Sequence, residues 1–135
     1  MVLLDTDVVS HLLRGDRESA LVGKLRRVPV EERYISAITV GEVLYGLERS
    51  GRHEHIRARL EAEFLSRVTA LPFDVQAARV YARIKADLHR RGEPLSEPDL
   101  RIAAIALANG LTLITGNDAH FRRVEGLRVE NWVRE

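Results

Sequence analysis

The sequence predicts an α/β fold, an α/β/α sandwich in which a mostly parallel sheet lies between two layers of helices. Short apolar runs of strand length alternate with segments whose apolar residues recur every three or four positions. Strands that alternate with helices form parallel sheets covered on both faces. No internal repeat and no linker rich in Gly, Pro or Ser interrupts this alternation, so we expect one domain over residues 1–135.

The first half of the chain is expected to contain two strands, at residues 2–4 and 34–35. Helix-capping residues and glycines mark the helices between and after them. The helices are predicted to begin at Thr6, Asp16, Thr39 and His53 and to end at Gly15, Pro29, Gly51 and Leu65.

The second half is expected to contain three strands, at residues 68–71, 111–114 and 127–129. Asp74 is interpreted as the cap of a long helix with one continuous apolar stripe. A further helix should run from Ser96 to Ala108. Because residues 102–107 are apolar on every side, this helix should be buried.

Composition excludes several classes of protein. The hydrophobic fraction of 45% and charged fraction of 30% are ordinary for a globular domain. No cysteine is present, which excludes disulfides, thiolate metal sites and a cysteine nucleophile. Neither a signal peptide nor a membrane-spanning segment is visible, so we expect a cytoplasmic protein without a membrane partner. The net charge of +1 does not by itself indicate nucleic-acid binding.

Four acidic residues fall where predicted strands end or the following helices begin. Ligands of parallel α/β sheets bind beyond the carboxyl ends of the strands, so acids at these positions can meet at one edge. The four candidates are Asp5, Glu42, Asp99 and Asp118.

Each acid also has a purely structural interpretation. Asp5 can cap a helix, and Glu42 lies in a first helical turn, where the helix dipole favours an acid. Asp99 follows Ser96 by three residues, a spacing similar to a capping box. The combination favours a site, because Asp5 ends an apolar strand and Asp99 opens an apolar helix, where an unpaired charge is costly.

Clustered carboxylates predict a cation. Like charges repel, so one acid must hold a proton or a cation must lie among them. Oxygen ligands without His or Cys suit a hard ion, Mg²⁺ or alternatively Mn²⁺. Such ions activate water and neutralise a scissile phosphate, in some sites as a pair about 4 Å apart. Whether one or two ions bind stays open.

The motifs around these acids resemble those of the PIN-domain ribonucleases, and of the VapC toxins in particular. Four motifs follow one another in order along almost the whole chain. They read VLLDTDVVS at 2–10, SAITVGEVLYG at 36–46, PDLRIAA at 98–104 and LITGNDAHF at 113–121, and the ending GLRVENW at 126–132 is also typical.

The resemblance implies a PIN fold and a Mg²⁺- or Mn²⁺-dependent endoribonuclease, the toxin of a bacterial type II toxin–antitoxin system. It implies RNA as substrate, an antitoxin partner that blocks the site, and a homodimer. By motif position, Asp5, Glu42 and Asp99 are the core acids, while the fourth position is open between Asn117 and Asp118. The hydroxyl and amide groups expected around the acids are Thr6, Ser36, Thr39, Thr115 and Asn117.

The mechanism we expect uses Asp5 and Asp99 as the main ligands of the first Mg²⁺, with Glu42 assisting directly or through water. A metal-activated water would attack the phosphodiester in line and leave a 3′-hydroxyl and a 5′-phosphate. Basic residues near the acids in sequence are either contacts to the RNA backbone or solvated surface charges. They are Arg101, Arg122, Arg123 and His120.

Two other interpretations of the sequence compete with that of a PIN-domain ribonuclease. A phosphate-accepting receiver domain also combines an α/β fold with Mg²⁺-binding acids, and Asp5 with Asp7 could imitate its acid pair. It requires a lysine late in the sheet, and no lysine follows Lys85. The second alternative is a catalytically inactive PIN-fold protein that binds RNA or a partner. Such versions usually lack one or more acids, whereas all three core acids are present here.

Overall fold

The computed structural model describes residues 1–15, 19–51 and 53–133, which form a five-stranded parallel sheet between two helical layers. Strands β1 to β5 are Val2–Leu4, Arg33–Ser36, Thr69–Leu71, Thr112–Ile114 and Val129–Glu130. Helices α1 to α7 are Thr6–Arg14, Ala20–Leu25, Ala37–Ser50, Glu54–Ala58, Val75–Arg90, Glu97–Ala108 and Asp118–Phe121. The predicted α/β/α sandwich is confirmed.

The order of the strands creates the position of the site. The sheet runs β3-β2-β1-β4-β5, and every pair is parallel. The chain moves outward from β1 to β3 and then crosses to β4 on the other side. The carboxyl ends of β1 and β4 therefore meet where the direction of winding reverses, the place where ligands bind in such sheets.

Two apolar cores lie on the two faces of the sheet, because successive side chains of a strand point in opposite directions. Leu3 and Leu113 belong to the core beneath α5 and α6. Val2, Leu4 and Ile114 belong to the core beneath α1 and α3. The middle strand, β1, is apolar throughout, as expected for a strand that is covered on both faces.

The second half of the chain folds largely as its pattern predicts. Asp74 caps α5 by accepting a hydrogen bond of 2.9 Å from the backbone N–H of Ala77. Ser96 caps α6 in the same way, accepting from the N–H of Asp99 at 3.3 Å. The residues of α6 from Ile102 to Ala106 are fully buried, which confirms that this helix lies inside the molecule.

Several helix starts differ from the predictions. Helix α1 begins at Thr6 as predicted, and Asp5 is its N-cap, in agreement with the structural interpretation of that acid. Ser36, rather than Thr39, is the N-cap of α3, which begins two residues earlier than predicted. Ser19 caps α2, while the proposed cap Asp16 lies outside the described residues. Gly15 ends α1 with a positive φ of 90°, as expected of a helix-terminating glycine.

The charged segment predicted as one helix from 53 to 65 is divided in two. Helix α4 passes directly into a π-helical stretch, Arg59–Phe64. The guanidinium of Arg59 donates hydrogen bonds to the carbonyls of Leu12 and Leu13 at the end of α1, while Leu60 is buried. The wider turn lets Leu60 reach the core while Arg59 caps the end of α1.

The remaining differences lie at element ends. Strands predicted at 68–71, 111–114 and 127–129 are Thr69–Leu71, Thr112–Ile114 and Val129–Glu130. The short helix α7 and a 3₁₀ turn at Val30–Glu32 were not predicted. Across the three described ranges, no helix combines the length and the apolar character that a membrane crossing requires.

Candidate active site

Asp5 lies at the reversal point of the sheet, the place where the carboxyl ends of β1 and β4 meet. Its side chain forms hydrogen bonds to residues that follow both strands. Its Oδ1 accepts a hydrogen bond of 2.8 Å from the N–H of Thr6, and its Oδ2 accepts one of 2.7 Å from the hydroxyl of Thr115. The register of β1 with β4 pairs Leu4 with Ile114, which sets the two following residues side by side. Asp5 is only 4% exposed, so its carboxylate is held in a fixed position at the base of the site.

Glu42 is held by a chain of three hydroxyl groups. The Thr6 hydroxyl donates to Glu42 Oε1 at 2.6 Å and lies 3.0 Å from the hydroxyl of Thr39. Because each hydroxyl has a single proton, Thr39 must donate to Thr6. The Ser36 hydroxyl in turn donates to Thr39 at 3.3 Å. The predicted supporting roles of Thr6, Ser36 and Thr39 have a direct geometric counterpart, since together they orient Glu42 towards the reversal point.

Asp99 comes to the same place from the first turn of α6. It is half-buried, and burial raises the pKa of its carboxyl above the ordinary value. The negative charges of Glu42 and Asp7 raise this pKa further, while a hydrogen bond from Ser96 and the nearby His120 lower it. Asp99 therefore shares an electrostatic environment with Glu42, although 57 residues separate them in sequence.

The surroundings of Asp5 disfavour a negative charge. Burial raises the pKa of the Asp5 carboxyl from 3.8 to about 7, and the charges of Asp7 and Asp99 add to this increase. The hydrogen bonds from Thr115 and Thr6 act in the opposite direction. A divalent cation would reverse the balance by neutralising the repulsion and favouring the ionised carboxylates.

The donors of this cluster fit a hard cation by their chemistry, since all of them are carboxylate or hydroxyl oxygens. In the part of the chain that the structure describes, no three carboxylate or imidazole side chains converge closely enough to hold an ion as they stand. The acids interact through their charges and lie on one side of the sheet. Binding an ion would therefore require their side chains to draw together.

The two candidates for the fourth position have different surroundings. Asp118 is 7% exposed, accepts a hydrogen bond of 3.0 Å from Asn131, and pairs with Arg122 at 3.4 Å. Asn117 is exposed, and its backbone N–H donates to the Thr115 hydroxyl at 3.0 Å. Asp118 thus ties α7 to the C-terminal segment, and the choice between the two residues stays a prediction.

Asp7 is a member of the cluster that the sequence did not single out as a site residue. It raises the pKa of both Asp5 and Asp99. Its Oδ2 accepts a hydrogen bond of 2.9 Å from the N–H of Gly116, and a Cβ built at Gly116 would lie 2.5 Å from that oxygen. Gly116 therefore lets the loop after β4 approach the Asp7 carboxylate. The available signal was the Asp-Thr-Asp spacing, which places a second acid in the first turn of α1.

The basic residues suggested as RNA contacts are divided between two environments. Arg101 pairs with Glu97 at 3.6 Å, Arg122 pairs with Asp118, and Arg123 donates to the carbonyl of Pro94 at 3.3 Å. His120 instead lies near enough to Asp99 to lower the pKa of that carboxyl. Of these four residues, His120 has the strongest connection to the site.

Comparisons with known proteins agree with this architecture. Residues 2–127 match the model of the PIN domain family. A ribonuclease VapC2 of Haemophilus influenzae is 37% identical, and the match covers 97% of each chain. A tRNA(fMet)-specific endonuclease VapC of Shigella flexneri is 41% identical over 96% of each chain. The solved VapBC2 complex of Rickettsia felis, bound to a promoter DNA fragment, matches with a TM-score of 0.89 and 28% identity, covering 98% of this chain and 99% of that one.

A parallel sheet with carboxylates at its reversal point, together with the family match, defines the class, and the chain belongs to the PIN domain family. Within that family, its near full-length relatives show that it is one of the VapC ribonucleases.

Proposed function

We propose that the protein is a Mg²⁺-dependent endoribonuclease that acts as the toxin of a toxin–antitoxin pair, and that Mn²⁺ can replace Mg²⁺. The observation that carries this proposal is that Asp5, Glu42 and Asp99 lie around the reversal point of the sheet, with Asp99 near enough to both other acids for their charges to interact. Asp5 and Asp99 would hold the ion, and Glu42 would assist. The bound ion would supply a Lewis acid and lower the pKa of a water molecule.

The side chains around the ion have distinct tasks. Asp5 is fixed by Thr6 and Thr115, so the position of its carboxylate oxygens is set before any ligand arrives. The hydroxyl chain that ends at Thr6 holds the Glu42 carboxylate in place through the hydrogen bond that Thr6 donates to Oε1. His120 lies close enough to lower the pKa of Asp99, so its imidazole is placed to contact a phosphate beside that carboxyl.

The comparisons suggest both a substrate and a partner. The Shigella relative is named for cleavage of tRNA(fMet), so a tRNA is the first RNA to test. The Rickettsia structure is a VapBC2 complex bound to a promoter DNA fragment, which supports an antitoxin partner for this chain. We propose that this antitoxin blocks the site. A homodimer remains part of the proposal.

The test is cleavage of purified tRNA with Mg²⁺ and with EDTA. We expect cleavage with Mg²⁺, no cleavage with EDTA, and products that carry a 5′-phosphate and a 3′-hydroxyl. Asp5→Asn should abolish cleavage, by at least about a hundredfold, because it removes a charged ligand of the ion.

Asp74→Asn is the matched control, since Asp74 is another helix-capping acid, and asparagine also caps well. This variant should cleave like the wild type. Cleavage that persists in EDTA, full activity of Asp5→Asn, or a 2′,3′-cyclic phosphate on the product would contradict the metal–water mechanism.

A further inference from the structure

A groove of about 250 Å³ runs between α1 and α3 and opens beside Glu42. It begins at the acidic cluster and continues along α3 towards the start of α4. Its walls combine small, polar and basic side chains with an apolar floor formed by Leu13, Val43, Leu47 and Ile56. The residues that matter for its chemistry are Ser10, Arg14, Glu42, Gly46, Arg49 and His53.

Gly46 lies in the interior of α3, where glycine destabilises a helix relative to alanine. A Cβ built at this position would meet no atom within 4 Å, so the packing of the protein does not require a glycine there. The position does line the groove. A missing side chain at this point keeps the groove open for a close approach of something outside the chain.

The groove carries basic groups suited to a nucleic acid, and an exposed aromatic ring, Tyr45, lies beside it on the surface of α3. Arg14 and Arg49 are exposed, and within the described ranges neither takes part in an ion pair. The guanidinium of Arg49 lies 5.9 Å from the centre of the Tyr45 ring, and Tyr45 is 66% exposed. Glu42, Tyr45 and Arg49 are spaced at i, i+3 and i+7, so they form one line on the surface of α3.

The length of this line suits a short piece of polynucleotide. Glu42 and Arg49 are seven positions apart, which corresponds to about 10 Å along the helix axis. At roughly 3.4 Å per stacked nucleotide, that distance corresponds to about three nucleotides of a single strand. An exposed aromatic face next to an arginine is the combination that binds a base and its phosphate.

We propose that the groove between α1 and α3 binds the single-stranded RNA next to the bond that is cleaved. Arg49 contacts a phosphate, the face of Tyr45 stacks against a base, and Gly46 leaves room for the sugar–phosphate backbone. This assignment rests on the proposed ribonuclease function. It adds the path of the bound RNA strand, which runs from the acidic cluster along the groove.

The test measures binding of a short fluorescein-labelled single-stranded RNA of mixed sequence to the full chain in EDTA, by fluorescence anisotropy. Arg49→Gln should weaken binding about tenfold at low salt, as expected for the loss of a charge-assisted phosphate contact. It should also reduce the slope of log K against log salt by about 0.7, the value for one phosphate contact to a single strand. A purely structural role of Arg49 would leave this slope unchanged.

Gly46→Ala is a second, independent test of the proposal. It should raise the melting temperature, because alanine favours the helix and meets no neighbour, yet weaken RNA binding by at least about fivefold, because the methyl group enters the groove. Gly23→Ala in α2 is the matched control, since a Cβ there also meets no atom within 4 Å and Gly23 does not line the groove. It should leave RNA binding unchanged.

The outcomes separate this proposal from the proposed function. If the wild type cleaves RNA but Gly46→Ala and Arg49→Gln bind it like the wild type, the groove is not an RNA site, and a polypeptide partner becomes its candidate occupant. If no RNA is cleaved but the two variants bind RNA more weakly as expected, the ribonuclease proposal fails and the assignment of the groove to RNA holds.

Discussion

Asp5 shows how a single residue can serve the site at the expense of stability. Its carboxylate is almost fully buried and lies near the charges of Asp7 and Asp99. Two hydrogen bonds, from Thr6 and Thr115, only partly offset the loss of hydration. A residue chosen for stability alone would not be ionisable at this position. The residue whose charge is unfavourably buried is the one that the sequence identifies as the first acid of the site.

This conflict predicts a pH dependence of stability. The pKa of Asp5 in the folded protein, about 7, lies above its ordinary value of 3.8, so the folded state binds the proton more tightly than the unfolded state does. The contribution of Asp5 is therefore fully present below about pH 4 and is lost as the pH rises to about 7. In EDTA at pH 8, Asp5→Asn should therefore be more stable than the wild type, with a free energy of unfolding about 1–3 kcal/mol higher.

The measurement is urea unfolding at pH 4 and pH 8, followed by the fluorescence of Trp132, which is the only tryptophan of the chain and is buried. The advantage of the variant should be present at pH 8 and disappear at pH 4. An Asp5→Asn protein that is less stable than the wild type at pH 8 would show that the hydrogen bonds of Asp5 outweigh its burial.

At the scale of the element, the N-terminus of α3 combines capping with positioning. The Ser36 hydroxyl accepts from the N–H of Thr39 at 2.9 Å and also donates to the Thr39 hydroxyl. The same side chain therefore begins the helix and starts the chain of hydroxyls that ends at Glu42. In α2, the Ser19 hydroxyl caps the helix by accepting a hydrogen bond of 3.3 Å from the N–H of Val22. In the described part of the chain, no hydrogen bond links Ser19 to the acidic cluster.

Ser36→Ala should therefore reduce the rate of cleavage as well as the stability of the fold. Loss of the cap should lower the free energy of unfolding by about 1–2 kcal/mol. Cleavage should also fall, by roughly tenfold, because Thr39 no longer holds Thr6 against Glu42. The comparison is Ser19→Ala, which should be destabilised by about 1 kcal/mol with cleavage unchanged. Calorimetry and initial rates of tRNA cleavage measure the two effects, and equal activity of both variants would remove Ser36 from the positioning of Glu42.

At the scale of the whole molecule, the site exists only because the sheet reverses its winding between β1 and β4. Asp5 and Thr115 are 110 residues apart in sequence and bond to each other across that point. Glu42 and Asp99 reach it from helices on opposite layers, α3 and α6. Bringing these acids together stores repulsion that a cation would relieve, so binding of the ion should stabilise the entire fold.

Mg²⁺ should therefore raise the melting temperature. For a dissociation constant near 1 mM, a concentration of about 10 mM would add roughly 1.4 kcal/mol and shift the midpoint by about 5 °C. Asp5→Asn should lose most of this shift, and Asp74→Asn should keep it. Thermal unfolding with Mg²⁺, with Ca²⁺ and with EDTA measures the effect. An equal shift in the wild type and in Asp5→Asn would indicate an ion bound elsewhere.

Much of this architecture was readable from local pattern. The apolar runs at β1 and β4, the caps Asp74 and Ser96, and the apolar circumference of α6 depend on neighbours within a few residues, and the structure agrees with them. The rule that ligands bind beyond the carboxyl ends of parallel strands also selected Asp5, Glu42, Asp99 and Asp118, whose role as metal ligands stays a prediction. Periodicity and capping chemistry act over one or two turns, which is the range that a sequence pattern expresses.

Contacts across the sheet decided the rest. The π-helical turn at Arg59 depends on the carbonyls at the end of α1, and the role of Asp7 depends on the close approach of Gly116 from the loop after β4. The surroundings of Asp118 depend on Asn131 in the C-terminal segment. The sequence by itself determined which elements form and which acids lie at their ends. Only the tertiary structure decided which polar groups those acids meet, because hydrogen bonds and burial depend on distances between segments far apart in the chain.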